Sequence, residues 1–406
     1  MAETVVMVAT SYPRFAGDIT GTFMEPIARG LAARGHAVHV VLPWHPKLTR
    51  PLEGGGVTLH PFRYAPHPSL NVFGYAEGLK ADVALRWTAW ASAPLGLAAG
   101  IAAARRLVRE VDATIVHGHW VVPGGAMAAV AAAGRPLVVS LHGSDVFVAE
   151  RSALAGRAAR SVFRRAGWVT GCSQDLSDRA VVLGAPADRT ETVPYGVDTS
   201  RFAPSAETRA AVRAELAIGD RPFVFAAGRL VRKKGFEHLI DAASRLRRAL
   251  PGLYVAIAGD GDLGAELAAR AGRGPDAAVA LLGNRAQHEI ARLAAAADVV
   301  AVPSVHDEAG NVDGLPNFAL EALATATPVV ATNVGGLPQA IEDGVNGRLV
   351  AERDGAALAD AIAGLLQQPS EGRRLGAAAR ARVEREFGWA RVAERFEAAY
   401  ERARRG

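Results

Sequence analysis

Pro222-Phe223-Val224-Phe225-Ala226-Ala227-Gly228-Arg229-Leu230-Val231-Arg232-Lys233-Lys234-Gly235 is the stretch that decides how the chain is read. Its apolar start reads as a buried strand. The segment after it, Phe236-Glu237-His238-Leu239-Ile240, has the apolar spacing of a helix. A glycine-bracketed loop therefore carries Arg229, Arg232, Lys233 and Lys234 between the end of a strand and the start of a helix. Open parallel sheets bind ligands at that edge. A helix N-terminus adds unpaired amides and partial positive charge, and Arg and Lys both suit phosphate oxygens. Two readings stand at this point: a diphosphate site, or a solvated basic turn.

The chain of 406 residues is too long for one ordinary core and predicts two domains. Half of it is hydrophobic and 21% is charged, which is a globular composition. Residues 1–197 carry 19 Lys and Arg against 14 Asp and Glu, a net of +5, and residues 198–406 carry 27 of each. The excess in the first half suits an anionic surface or substrate. The single cysteine, Cys172, permits no intrachain disulfide and fits a reducing compartment. Val5 to Ala9 is too short for a signal peptide core. Ala89 to Ala104, interrupted by Pro94, Gly96 and Gly100, falls short of the roughly 20 residues of a membrane span.

Thr4 to Ala9 reads as a parallel strand buried on both faces. A Gly-containing loop, Ser11 to Phe23, a helix over Glu25 to Arg34 and a strand over Ala37 to Leu42 complete a βαβ unit. The glycines are too widely spaced for the dinucleotide fingerprint. His36 reads as an exposed turn residue. Residues 43–75 read as loops with a short strand near Val57-Thr58-Leu59, and residues 76–110 as a helical region broken near Pro94. With Arg86, Trp87 and Trp90 this region reads as an amphipathic helix on the sheet, the alternative being a membrane-surface helix. Strands then run into His117-Gly118-His119-Trp120, into His142-Gly143-Ser144-Asp145 and into Gly171-Cys172-Ser173. Three histidines raise the question of a metal. No helical His pair or Cys cluster accompanies them, so none is expected. Arg157, Arg160 and Arg164 share a helical face that reads as solvated.

Val193 to Asp198 is a turn-rich boundary, and a second set of strands and helices follows it. The architecture predicted is α/β, two Rossmann-like doubly wound halves. Within the second half lies Ser304-Val305-His306-Asp307-Glu308-Ala309-Gly310-Asn311-Val312-Asp313-Gly314-Leu315-Pro316-Asn317-Phe318-Ala319-Leu320-Glu321. Pro316 suits the first turn of a helix beginning at Asn317, which puts Asp313 in the loop and Glu321 about one turn inside. Ionised carboxylates accept hydrogen bonds from paired hydroxyls such as those of a ribose or hexose. Asp313 before a helix is also favoured by the dipole alone.

Gly228-Arg229, four residues, Lys234-Gly235, then an acid, seven residues and a glutamate at Asp313 and Glu321, resembles the retaining glycosyltransferases of family four with the GT-B fold. Further matches are Arg34-Gly35-His36, His142 to Asp145, Val193 to Asp198 with Phe202, Ala297-Asp298, Val302-Pro303-Ser304 and Thr332 to Pro338. The resemblance implies two Rossmann-like domains facing across a cleft. It implies an acceptor-binding domain over residues 1–197, a nucleotide-sugar domain over 198–386, and a C-terminal helix over 387–406 that crosses back to the first. It assigns Arg229 and Lys234 to the donor diphosphate, Glu321 to the ribose and Asp313 to the sugar hydroxyls. It places Gly228, Gly283, Asn284, Arg285, Leu315, Pro316, Asn317 and Phe318 around the donor. Gly21 and Thr22 belong to a loop over the diphosphate, and His142 reaches towards the sugar. Asp313 stands where the family commonly has Glu, and Glu308 is a rival for its place.

The resemblance implies transfer of a sugar from a nucleotide-diphosphate sugar to an acceptor hydroxyl with retention, in cell-envelope polysaccharide or glycolipid synthesis, without metal or other cofactor. If the reaction inverts instead, His142 or Asp18 is the base candidate. A nucleotide-sugar epimerase and a non-catalytic sugar-nucleotide sensor are the alternatives on the same fold. The basic first half implies a lipid-linked or small-molecule sugar acceptor and peripheral membrane association. No nucleic-acid partner is expected, and the site of action is cytoplasmic, at the inner face of the cell membrane.

Overall fold

The computed structural model describes residues 2–18, 20–65, 67, 71, 73–75, 79–80, 84–85, 87–272, 277 and 279–405, with backbone alone for 79–80, 84–85 and 87–92. The chain divides into two compact units, Met1–Tyr195 with Trp389–Gly406, and Gly196–Gly388.

Strands of the first unit are β1 (Thr4–Val8), β2 (Ala37–Pro43), β3 (Glu53–Gly54), β4 (Val57–Phe62), β5 (Leu79–Lys80), β6 (Ala84–Leu85), β7 (Ile115–His119), β8 (Leu137–Leu141), β9 (Trp168–Gly171) and β10 (Thr190–Thr192). Its helices are α1 (Met24–Ala33), α2 (Trp87–Glu110), α3 (Ala126–Ala131), α4 (Ser144–Arg151), α5 (Ala153–Arg165) and α6 (Gln174–Val182). The main sheet runs β10-β9-β8-β7-β1-β2-β4-β3, parallel except where β3 meets β4. Its central strands are buried on both sides because helices cover both faces. Strand order reverses between β1 and β7, so the loops after those two strands diverge and leave a crevice.

The second unit repeats the plan. Its strands are β11 (Phe223–Ala227), β12 (Tyr254–Ala258), β13 (Ala280–Gly283), β14 (Val299–Val302), β15 (Val329–Thr332) and β16 (Arg348–Val350). Its helices are α7 (Ala206–Glu215), α8 (Phe236–Ala249), α9 (Gly264–Ala271), α10 (Gln287–Ala296), α11 (Asn317–Ala324), α12 (Leu337–Ala340), α13 (Gly355–Gln367) and α14 (Pro369–Glu386). The sheet runs β13-β12-β11-β14-β15-β16, all parallel, and the order reverses between β11 and β14. Leu239, Ile240, Ala243 and Leu246 of α8 close one face of this core with Leu358 and Ile362 of α13. Asp298, in one of the matched motifs, is structural. It accepts the Phe223 amide at 2.8 Å and pairs with Arg209 and Arg213, fixing the start of β11 beside β14.

The last helix, α15 (Trp389–Arg405), belongs to the first unit. Val392, Phe396, Tyr400 and Ala403 are buried in the core formed by β1, β2 and α1. Glu397 of this helix pairs with Arg34 at 2.6 Å and with His36 at 2.8 Å. His36 is consequently only 6% exposed, and its Nδ1 accepts the Glu3 amide at 3.0 Å. The expected exposed turn residue is instead a buried link between β1 and α15, which no local pattern around residue 36 encodes.

Helix α2 runs unbroken through Pro94, contrary to the break read from the sequence. Pro94 is exposed, and it leaves the helix one amide donor short. The start of the predicted helical region differs too, since β5 and β6 form a small antiparallel pair there. Arg86 and the side chains of Trp87 and Trp90 lie outside the described residues.

Gly235 joins the basic loop to α8 with φ 61° and ψ 25°, and a Cβ there would stand 2.0 Å from the Pro303 carbonyl oxygen. Replacing Gly235 with Ala therefore combines a left-handed backbone penalty of about 1–2 kcal/mol with a backbone clash. The expected outcome is a clearly lower thermal-unfolding midpoint for Gly235→Ala. An unchanged midpoint would show that this junction tolerates a side chain.

Candidate functional site

The reversal between β11 and β14 places two loops side by side at the strand ends of the second unit. The loop after β11 begins at Gly228 and continues through a 3-10 turn, Arg232–Lys234. The loop after β14 runs from Pro303 to Pro316 and leads into α11. The Val305 amide donates to the Lys233 carbonyl at 2.9 Å and stitches the two together. Farther along the edge, the Gly228 amide donates to Ala258 at 3.0 Å and the Gly259 amide to Gly283 at 2.8 Å. The ends of β11, β12 and β13 therefore form one continuous rim.

At the centre of the rim, Lys234 Nζ lies 2.7 Å from Asp313 Oδ2 and Lys233 Nζ lies 3.2 Å from Asp313 Oδ1. The Asp313 side chain is 11% exposed, and the Ser304 hydroxyl stands 3.5 Å from its Oδ2. Burial works to raise the Asp313 carboxyl, but the charges and hydrogen bonds of Lys234 and Lys233 hold it well below the usual carboxylate range. The Asp313 backbone is fixed as well. A Cβ on Gly335, whose φ is +55°, would stand 2.1 Å from the Asp313 carbonyl oxygen. Only glycine lets the loop after β15 lie so close.

Glu321 sits on the fifth residue of α11, as the spacing predicts. It is half-buried, and Gln287 Nε2 donates to its Oε1 at 3.0 Å. Arg201 in turn donates to the Gln287 amide oxygen. Burial pushes the Glu321 carboxyl up to about 7, against the Gln287 hydrogen bond and the charges of Arg201 and Lys234. Glu321 therefore keeps its proton to a much higher pH than Asp313, which is held ionised.

Among the other residues singled out, Gly228 adjoins Lys234, whose Cε would lie 3.4 Å from a Cβ at that glycine. Arg229 is exposed beside it. Gly283, Asn284 and Arg285 form an exposed strip after β13, with Arg285 paired to Glu289 at 3.5 Å. Leu315, Pro316 and Phe318 are buried under the start of α11, with Phe318 edge-on to Phe225. The Asn317 side-chain oxygen is buried without a hydrogen-bond partner among the described residues. Glu308, the rival acid, is exposed, and the ion pairs with the lysines are made by Asp313.

Lys233 corrects the sequence reading. No role is assigned to it there, as none is to Arg232, yet its side chain is 18% exposed and turned onto Asp313. Arg232 does point outward, to Glu266 at 2.9 Å and Glu237 at 3.5 Å. On this 3-10 turn Arg232 faces away while Lys233 and Lys234 share one acid, and no spacing rule for a single run of charges separates them. Gln287 and Arg201 were also missed. Their contact with Glu321 is tertiary, and neither belongs to a motif that marks it.

In the first unit, Gly21 and Thr22 lie in the loop after β1, just before α1. Asp18 in that loop is bound by Arg14 at 2.7 Å. Burial opposes ionisation of Asp18, but the Arg14 hydrogen bonds bring it down to about 2, which leaves a weak base. His142 follows β8. Its loop is fixed by Asp145, which accepts the amides of Val121, His142 and Gly143 at 2.7, 3.1 and 2.9 Å. Both ring nitrogens of His142 are engaged, Nδ1 with the Tyr195 hydroxyl at 2.7 Å and Nε2 with His119 Nδ1 at 3.1 Å. Burial and the neighbouring His119 push His142 well below the usual histidine range. His117 binds the Tyr400 and Ser140 hydroxyls at 2.9 and 2.7 Å. The three imidazoles are thus buried and held neutral: His119 bonds His142, meets His117 ring to ring at 4.0 Å and leaves its Nε2 without a partner among the described residues, while His117 joins the group to α15 through Tyr400.

A cleft of about 520 Å³ opens at the opposite strand ends of the second unit, lined by Arg209, Asp220, Pro222, Asp298, Pro328 and Arg373. Its Arg209–Asp298 pair is the structural one described above.

The sequence profile of glycosyl transferases group 1 matches residues 208–382, and that of Glycosyltransferase Family 4 matches residues 20–201. A GDP-mannose-dependent alpha-(1-6)-phosphatidylinositol monomannoside mannosyltransferase of Mycobacterium tuberculosis is 31% identical over 401 residues, covering 97% of this chain and 96% of that protein. Glycogen synthase of the same organism is 30% identical over 426 residues, covering 99% of this chain and 95% of that protein. Among solved structures, Anabaena HepE in complex with UDP matches with a TM-score of 0.77 at 23% identity, over 98% of this chain and 99% of that one. At that identity the last likeness speaks for the fold alone. With two parallel doubly wound sheets and relatives matched along almost their whole length, the chain belongs to the group 1 glycosyl transferases of family four, has the GT-B fold, and is a nucleotide-sugar-dependent glycosyltransferase.

Proposed function

We propose that the rim of the second unit holds the donor and that the enzyme transfers its sugar with retention, without a metal, to an anionic lipid-linked acceptor carried by the first unit. The observation that supports this most directly is the placement of Lys234 and Asp313, 2.7 Å apart, at the point where strand order reverses. In this reading Arg229 and Lys234 hold the diphosphate and Glu321 accepts hydrogen bonds from the ribose. Gly283 to Arg285 line the base, and Asp313 faces the sugar hydroxyls. Negative charge grows on the leaving diphosphate as the bond from the anomeric carbon to its oxygen breaks. Fixed cations there stabilise the transition state more than the ground state. The acceptor oxygen bonds to the same face of that carbon, and its proton passes to a donor phosphate oxygen. The nucleoside diphosphate then leaves.

The named relatives use different acceptors, and charge favours one of them. The first unit carries 24 Lys and Arg against 17 Asp and Glu, a net of +7, and the second carries 22 against 24, a net of −2. A phosphoinositide-type mannoside carries a phosphodiester, whereas a glucan has no charge for that surface to attract. GDP-mannose is accordingly the first donor to test, with a phosphatidylinositol mannoside as acceptor. No helix among the described residues is long and apolar enough to cross a membrane. Action at the inner face of the cell membrane is proposed through surface attraction.

Three outcomes are expected. In a thermal-shift screen of GDP-mannose, UDP-glucose and ADP-glucose, the cognate donor raises the melting temperature of the wild type. Lys234→Ala should lower transfer from that donor by about 10²–10³-fold, the usual cost of one such group, while melting normally without ligand. Near-normal turnover would remove Lys234 from the diphosphate. Second, the raised pKa of Glu321 means that its ionised form, which accepts ribose hydrogen bonds, is gained as pH rises through about 7. Affinity for the nucleotide sugar should rise roughly tenfold between pH 6 and 8, one pKa unit being a factor of ten. A nucleotide sugar, unlike a nucleoside diphosphate, has no phosphate titrating in that window. Glu321→Gln should flatten the profile, and an unchanged profile would locate the titration elsewhere. Third, co-sedimentation with anionic phosphatidylinositol-containing vesicles should be strong at low salt and weaken as salt rises. Binding that ignores both salt and lipid charge would overturn the electrostatic account.

A further inference from the structure

We infer that Lys233 is a positioning residue that keeps the Asp313 carboxylate paired when Lys234 turns to the donor diphosphate. The inference rests on the donor reading above. Without ligand, one carboxylate is shared by two ammoniums from a single 3-10 turn, Oδ1 at 3.2 Å from Lys233 and Oδ2 at 2.7 Å from Lys234. That turn cannot drift from the acid's loop, because the Lys233 carbonyl accepts the Val305 amide at 2.9 Å.

A diphosphate arriving at Lys234 competes with Asp313 for the same ammonium. Were Lys234 the acid's sole cation, donor binding would strand a carboxylate that is only 11% exposed. An unpaired charge in so buried a place is strongly disfavoured. Lys233 on the other oxygen removes that obstacle. Lys234 changes partners, and Asp313 stays ionised and aimed. Arg232 cannot substitute, since it is engaged by Glu266 and Glu237 on the outer side.

A double-mutant cycle read by calorimetric titration tests this. GDP, UDP and ADP are titrated into the wild type, and the tightest is carried through the series. Lys233→Met should raise its Kd about tenfold or more, tenfold being about 1.4 kcal/mol. Lys233→Arg should restore binding to near the wild-type value. In an Asp313→Asn background there is no carboxylate to strand, so adding Lys233→Met should change Kd by less than about twofold. A penalty that persists undiminished in that background would mean that Lys233 contacts phosphate directly, and would overturn the inference. So would wild-type affinity in Lys233→Met. Lys234→Ala is the control for the underlying reading: if it binds normally, the donor assignment fails, whereas weak binding there with normal binding in Lys233→Met sinks this inference alone. Melting curves of all variants separate binding loss from unfolding.

Discussion

The reversal of strand order between β11 and β14 is the constraint on which the Lys234–Asp313 site depends. Neighbouring parallel strands normally send their following helices to one face of a sheet. At a reversal they diverge, and the loops that precede them are left beside an open crevice. Here one loop brings lysines and the other brings an acid, and they meet as a buried ion pair. Hydrophobic burial of β11 and β14 supplies the rigidity that fixes the distance between them. Asp298 reinforces it from the opposite end of the same two strands by holding the Phe223 amide.

Two carboxylates in one site are shifted in opposite directions for reasons the surroundings make plain. Asp313 has two ammoniums within 3.2 Å and is ionised despite burial. Glu321 has one neutral amide at 3.0 Å, and its nearest cations act only at a distance, so burial dominates and its proton is held to about neutral pH. An acid that is permanently charged suits a fixed hydrogen-bond acceptor. An acid near its midpoint is set by whatever diol or cation arrives beside it. The first unit handles its buried titratable groups differently. His117, His119 and His142 are pushed towards neutrality by burial and joined by hydrogen bonds to hydroxyls and to one another.

Much of this was legible in the sequence. The apolar runs ending in polar residues marked β1, β7, β8, β11 and β14, and the spacing from Pro316 to Glu321 located α11 and the acid on it. The family pattern of Gly228-Arg229, Lys234-Gly235, Asp313 and Glu321 named the fold and the enzyme class. What escaped was tertiary. His36 is buried only because α15 returns from the far end of the chain. Lys233 differs from Arg232 only in the direction its position on a tight turn imposes. Gln287 meets Glu321 across a gap of 34 residues with no motif to announce it. Pro94 was misread because a helix-breaking residue was taken to end the helix, whereas α2 continues through it.

The central claim is that this rim binds the donor diphosphate through Arg229 and Lys234. A crystal structure of the full chain with the nucleoside diphosphate that binds most tightly tests it most directly. The account predicts phosphate oxygens within hydrogen-bonding distance of Arg229 and Lys234, the ribose hydroxyls on Glu321, and Asp313 retained by Lys233. A nucleotide bound elsewhere, with the Lys234–Asp313 pair intact at its 2.7 Å separation, would contradict it.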